Sequence, residues 1–523
     1  MPLGNSSNLS APSLIGQLIM PRLDAQAFSE DKEYAERIEL LVREARAGGF
    51  CVFGGTPEMV ARATKKLQAI AIASEMPPLL FSCDCEFGLP MRLTGGGTEF
   101  PDAMAIAKTG EPKLARDVGS AIAREMRSIG LGWNFAPVAD VNSNPANPII
   151  NTRAFGGDPK TVAIFAAEFM RGLQSEGVAA AGKHFPGHGD TAVDSHRELP
   201  VIEKNWQDFS ATELPPFKAL IEAGVLSIMT GHLAAPNLAE YLGASADDRN
   251  LPATLSRALT TSLLRERLGF DGVIVTDALE MHAITEHFGP EEAAIRAFRA
   301  GADILLLPLD ALRAGSVIES SVNSGELDLD MIHDRVARIL ALKQKVNIAS
   351  PAIDAARLTE FATEHSLLAD EIAEKAIELN GTLDLSKANF LILADDRPGA
   401  MEKATFFSEI IRPNVDSIKV ITPKDWPERS VAFDQNTILA TFHRARGYLG
   451  NNETKLTLPA VVRDIAASLA GRGLAPRGLI LFGSPYLDAE FQTPPNFVLK
   501  TFSESGASIR AATQILRARG TFD

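Results

Sequence analysis

Gly177-Val178-Ala179-Ala180-Ala181-Gly182-Lys183-His184-Phe185-Pro186-Gly187-His188-Gly189-Asp190-Thr191, followed at once by Asp194-Ser195-His196, decides how this chain is read. The first part is small and apolar, as a short buried strand requires. From Lys183 onward the stretch holds His184, His188, His196, Asp190 and Asp194 among turn residues. Titratable side chains are costly to bury without partners, so such a cluster suits a site better than a core. It starts where a strand gives way to a loop. In parallel α/β proteins chemistry is placed at that point.

Working outward, short apolar runs recur at 17–21, 49–53, 79–84, 132–138, 178–185, 227–232, 272–277 and 304–308. Between them lie segments whose apolar residues recur every three or four positions, at 34–47, 59–74, 114–129, 161–176, 213–223, 256–268 and 290–300. That spacing predicts amphipathic helices. Eight strands alternating with helices predict a parallel sheet, and the length suits a closed (β/α)8 barrel of the TIM type. A doubly wound open sheet is the alternative. Asp84, Asp140, Lys183, His184, His232 and Asp277 all fall at the carboxyl ends of runs. A barrel would gather them at one mouth.

A helix-like stretch at 328–345 closes this region. Residues 1–348 are expected to form the barrel domain, 349–369 a linker and 370–523 a smaller α/β sandwich domain. In the last, a helix-like segment at 369–378 leads to runs at 390–394, 418–421, 438–442, 478–482 and 497–501.

The 523 residues are 46% hydrophobic and 22% charged, which suits a large soluble core. A net charge of −15 argues against nucleic acid or an anionic membrane as partner. Residues 1–13 lack a basic leader and no apolar run could span a bilayer, so a cytoplasmic location is expected. Cys51, Cys83 and Cys85 form no disulfide framework and no zinc pair. They are expected to be reduced and buried. No metal and no cofactor is expected. The oligomeric state is not legible, and a monomer is compatible with the chain.

Asp277 ends the β-prone run 272–276. A carboxylate held at a strand end is a candidate nucleophile. It could equally cap a following helix, with Glu280 in capping-box position. Asp194 and His196, two apart, would share one face of an extended segment. A carboxylate beside an imidazole makes an acid/base dyad; an ordinary surface loop is the other reading. His184 and His188, four apart, would suit a metal only on a helix, which Pro186-Gly187 disfavours. Asp84, Arg92, Arg153, Lys183 and His184 together offer donors and acceptors suited to sugar hydroxyls.

These motifs resemble glycoside hydrolase family 3, in its bacterial β-N-acetylglucosaminidase branch. The resemblance rests on 133–141, 147–150, 153–156, 183–190, Asp194-Ser195-His196, 229–232 and 270–281, in family order. It implies a retaining, exo-acting β-N-acetylglucosaminidase that forms a covalent glycosyl-aspartate. Asp277 would be the nucleophile, His196 the acid/base and Asp194 its orienting partner. Asp84, Arg92, Arg153, Lys183 and His184 would hold the sugar in the −1 subsite. Cell-wall muropeptides or chitin-derived fragments would be the carbohydrate substrate. One departure is Cys85-Glu86-Phe87-Gly88-Leu89-Pro90-Met91-Arg92, where many branch members run Gln, Glu, Gly, Gly, Arg. Phe87 alters the pocket shape expected there. The second domain is similar to the α/β sandwich of longer members, through 481–487.

Other functions stay open at this point. A phosphorylase would suit a histidine acid/base, which does not repel an incoming phosphate. A β-glucosidase of the same family is a further reading. A non-catalytic sugar-binding barrel is the reading from a different class.

Overall fold

The computed structural model describes residues 6–191, 199–346, 353–386, 388–397, 399–426, 436–444 and 457–519. The chain forms two compact units. The first comprises Met1–Thr98, Pro112–Asn147 and Ala154–His365, and the second Glu99–Glu111, Pro148–Arg153 and Ser366–Asp523.

In the first unit, strands β1 (Ile19–Met20), β2 (Arg22–Asp24), β3 (Gly49–Phe53), β4 (Leu80–Cys83), β5 (Trp133–Asn134), β6 (Ala179–Phe185), β7 (Ser227–Thr230), β8 (Val273–Thr276) and β9 (Leu305–Leu306) follow in order. Strands β2 to β8 make one curled, all-parallel, seven-stranded sheet in sequential order. Beyond its last strand, Val275 bridges Ile304, and β9 pairs in parallel with β1. Every residue of β3, β4, β6, β7 and β8 is buried. A parallel sheet needs cover on both faces, which explains runs without polar alternation.

The covering helices obey their sequence signals. Helix Pro57–Ala73 begins at a Thr56 cap and Pro159–Ser175 at an Asp158 cap, each with proline at its start. Helices Pro112–Ser128 and Pro159–Ser175 approach closely because Gly119 and Gly172 lack side chains. A Cβ on Gly119 would lie 2.2 Å from Phe169 O, and one on Gly172 2.0 Å from Arg116 O.

The second unit carries β10 (Glu378–Gly381), β11 (Asn389–Ala394), β12 (Ser417–Ile421), β13 (Thr437–His443), β14 (Gly478–Gly483) and β15 (Phe497–Lys500). Their order is β10-β15-β14-β13-β11-β12, parallel except for β10. Alternation splits β11 between two cores. Phe390 and Ile392 pack with Phe407, Phe442 and Phe482, while Leu391 and Leu393 pack with Val461, Ile465 and Leu479.

Three details differ from the sequence expectation. Strand β10 stands where only a helix end was foreseen, because this half-exposed edge carries little apolar signal. The helix before it is longer, Arg357–Ala376. The segment Ala258–Arg267 winds as a π-helix rather than an α-helix. Among the described residues no helix is long and apolar enough to cross a membrane.

Candidate active site at the carboxyl ends of the parallel strands

The carboxyl ends of β4 and β6 in the first unit supply one ion-paired group. Asp84 follows β4 directly. Its Oδ1 accepts from Lys183 Nζ at 2.8 Å and its Oδ2 from Arg92 Nη2 at 2.5 Å. Lys183 Nζ also pairs with Glu86 Oε1 at 2.7 Å. The lysine side chain is 3% exposed, so its charge is tolerated only because two carboxylates face it. Burial pushes the Asp84 carboxyl up, but the Lys183 and Arg92 charges outweigh burial and hold it well below the usual carboxylate range. Asp84 is therefore an anion ready to accept from hydroxyls.

The next residue turns to a different partner. The pairing of β6 with β7 shifts register between Gly182 and Phe185. A bulge of this kind re-aims side chains. His184 Nδ1 donates to Asp140 Oδ2 at 2.7 Å. The backbone N–H groups of His184 and His188 donate to Asp140 Oδ1 at 3.1 and 2.7 Å. Asp140 thus fixes the His184 tautomer and leaves the chemistry to Nε2. The following turn packs tightly, since a Cβ on Gly189 would meet Val141 O at 1.7 Å.

His188 is buried, and burial pushes its imidazole down to about 4, so it is neutral near pH 7. Its Nδ1 meets Thr191 Oγ1 at 2.8 Å. Asn147 Nδ2 donates to the carbonyls of His188 and Gly189 at 2.9 and 3.1 Å. His184 and His188 come together around Asp140 rather than along a helix.

Asp277 follows β8. The backbone N–H of Ala278 donates to its Oδ1 at 2.7 Å. His232, beyond β7, donates from Nε2 to Ala278 O at 2.8 Å. Burial raises the Asp277 carboxyl, but the nearby His232 and His184, the Ala278 N–H and Lys183 together hold it below its ordinary value. An ionised carboxylate at a rigid strand end can attack an electrophilic carbon or steady a developing cation. No helix starts at Asp277; the next begins at His282. Glu280 is not a cap either, because it pairs with Arg22.

Of the residues expected at the site, Asp84, Arg92, Lys183, His184 and Asp277 therefore share one unit and interacting neighbourhoods. Arg153 ends a short turn, Asn151–Arg153, of the second unit, where its Nη1 donates to Ile149 O at 3.1 Å. Asp194 and His196 lie outside the described residues. Glu86 and Asp140 were visible in the sequence but carried no role there. Each gains one from a partner distant in the chain. Cys51, Cys83 and Cys85 are buried free thiols.

Residues 13–342 match the model described as the Glycosyl hydrolase family 3 N terminal domain. The chain belongs to glycosyl hydrolase family 3. This family 3 chain is 35% identical over 358 residues to the Beta-hexosaminidase A of Pseudoalteromonas piscicida, across 64% of the chain and 60% of that relative. It is 32% identical over 357 residues to the Beta-N-acetylglucosaminidase/beta-glucosidase of Cellulomonas fimi, across 67% and 62%. The matched part thus spans roughly three fifths of the length of these relatives. A solved structure of a glycoside hydrolase family 3 beta-N-acetylglucosaminidase from Paenibacillus sp. str. FPU-7 superposes with a TM-score of 0.82 at 28% identity, covering 98% of both chains.

Proposed function

We propose that the protein is a retaining, exo-acting β-N-acetylglucosaminidase that releases N-acetylglucosamine from cell-wall or chitin-derived fragments in the cytoplasm. The observation that carries this reading is the ionised Asp277 at the end of β8, with His232, His184 and Lys183 beside it. In the first step Asp277 attacks the anomeric carbon, the glycosidic bond breaks, and His196 protonates the departing oxygen. In the second, His196 accepts a proton from water, whose oxygen displaces Asp277. Asp194 orients His196. The −1 sugar is held by Asp84, Arg92, Lys183 and His184 of the first unit. Residues 1–348 are read as a closed (β/α)8 catalytic domain, a reading supported by the Val275–Ile304 bridge and the parallel β9–β1 pair. Residues 370–523 are read as a smaller sandwich domain after a linker.

A second reading, β-glucosidase activity, is favoured by the likeness to the Cellulomonas fimi relative, whose name carries both activities. Paired aryl β-N-acetylglucosaminide and aryl β-glucoside, each assayed with and without phosphate, separate the readings. Hydrolysis of the first substrate, indifferent to phosphate, supports the proposal. Preference for the glucoside, or formation of sugar 1-phosphate, would overturn it.

A further inference from the structure

In the connections that follow β6 and β7, the first unit displays an aromatic stack at its surface. Trp206 opens the helix Trp206–Thr212, and Tyr241 closes the helix Pro236–Tyr241. Their ring centroids lie 4.9 Å apart with planes 11° from parallel. Arg267, at the end of Ala258–Arg267, sets its guanidinium carbon 4.0 Å from the Trp206 centroid and 5.1 Å from that of Tyr241. Its Nη2 donates to the Tyr241 hydroxyl at 3.1 Å.

The stack is not enclosed in a core. Tyr241 is 51% exposed, Trp206 is half-buried and Arg267 is exposed. The chain has only three tryptophans and four tyrosines, so one of each held side by side in water is no overflow from an aromatic-rich core. Stacking and the cation fix both rings before any ligand arrives, which removes an ordering cost from binding. Polar groups flank the stack: Glu240, ion-paired with Arg249 at 2.6 Å, and Asn237, whose Nδ2 donates to Glu203 O at 2.7 Å. From Tyr241 the chain runs directly through Leu242–Ala244 into the lining of a groove of about 840 Å³.

We propose that the Trp206–Tyr241–Arg267 stack is a secondary carbohydrate-binding platform that takes a pyranose unit of an oligosaccharide on its exposed aromatic face. A pyranose ring has an apolar C–H face and a rim of hydroxyls. A preformed aromatic face bordered by charged and amide groups matches both. In this role the platform holds polymer and takes no part in breaking the glycosidic bond. The inference rests on the carbohydrate reading above.

The test is binding of the full chain to insoluble chitin, in an Asp277→Ala background so that the polymer is not cut. Tyr241→Ala and Trp206→Ala should each weaken retention about three- to ten-fold, and Tyr241→Phe should retain it. In the Asp277-intact chain, the same substitutions should leave kcat/KM on an aryl N-acetylglucosaminide and the Tm nearly unchanged. Equal retention in all variants, or no retention by the parent, would overturn the platform. Absence of aryl N-acetylglucosaminide turnover by the unaltered chain would instead count against the proposed function.

Discussion

Lys183 Nζ stands between two carboxylates, 2.8 Å from Asp84 Oδ1 and 2.7 Å from Glu86 Oε1. Its charge helps hold Asp84 ionised. Replacing it by methionine leaves two acids facing each other in a largely buried site. Lys183→Met is expected to lower kcat/KM about 10²-fold. It should also raise the acid limb of the pH profile, as Asp84 moves back toward ordinary carboxylate behaviour. A pH–rate series on an aryl glycoside checks both; an unmoved acid limb counts against the coupling.

Asp277→Ala removes the carboxylate at the end of β8. Turnover should nearly vanish while the fold, followed by circular dichroism, is retained. An unchanged rate would falsify its assignment as nucleophile.

His196→Ala is expected to slow cleavage of ordinary leaving groups by ~10²–10⁴-fold, the usual worth of general acid/base help. The first step with an activated aryl leaving group should slow much less, since that group departs without a proton. Equal losses for both substrates would remove His196 from the acid role.

Lys343 is fully buried, its Nζ donating to Gln17 Oε1 at 2.6 Å and Gly48 O at 2.7 Å. Burial pushes its ammonium down to about 7 from 10.5. Between those values the unfolded chain binds a proton that the folded chain lacks, so this group makes stability rise with pH across the window. Lys343→Met should abolish that slope. The variant's stability relative to the parent should be most favourable below about pH 7 and decline toward pH 10.5. Urea titrations at several pH values read the difference.

In the second unit Arg397 makes a two-pronged pair with Glu504, at 2.7 and 2.6 Å, and donates to Asp395 at 2.7 Å. All three are buried. Glu504→Gln removes one charge and leaves the guanidinium undercompensated. It should destabilise this unit by about 3–5 kcal/mol, visible as an earlier transition on denaturation.

The central strands were legible because β3, β6, β7 and β8 are buried along their whole length, and continuous apolar runs report that directly. Strand β10 was not, since a half-exposed edge leaves no such pattern. At the site, the sequence placed Asp84, Lys183, His184 and Asp277 at strand ends but left Asp277 undecided between nucleophile and helix cap. The absence of a helix before His282 removes the cap. It could not assign Asp140, whose two oxygens gather His184 and His188 from 44 positions or more along the chain.

Periodicity thus determined the alternating α/β order and the strand ends where polar residues collect, because alternation and helical spacing are local properties of the backbone. Tertiary structure alone decided which charges meet, as with Lys183 and Asp84, 99 residues apart. It also decided which groups stay ionised, as Asp277 does, and which turn neutral, as His188 does. Coulomb energy and desolvation depend on distance and burial in space, and neither is written in the spacing of residues along a chain.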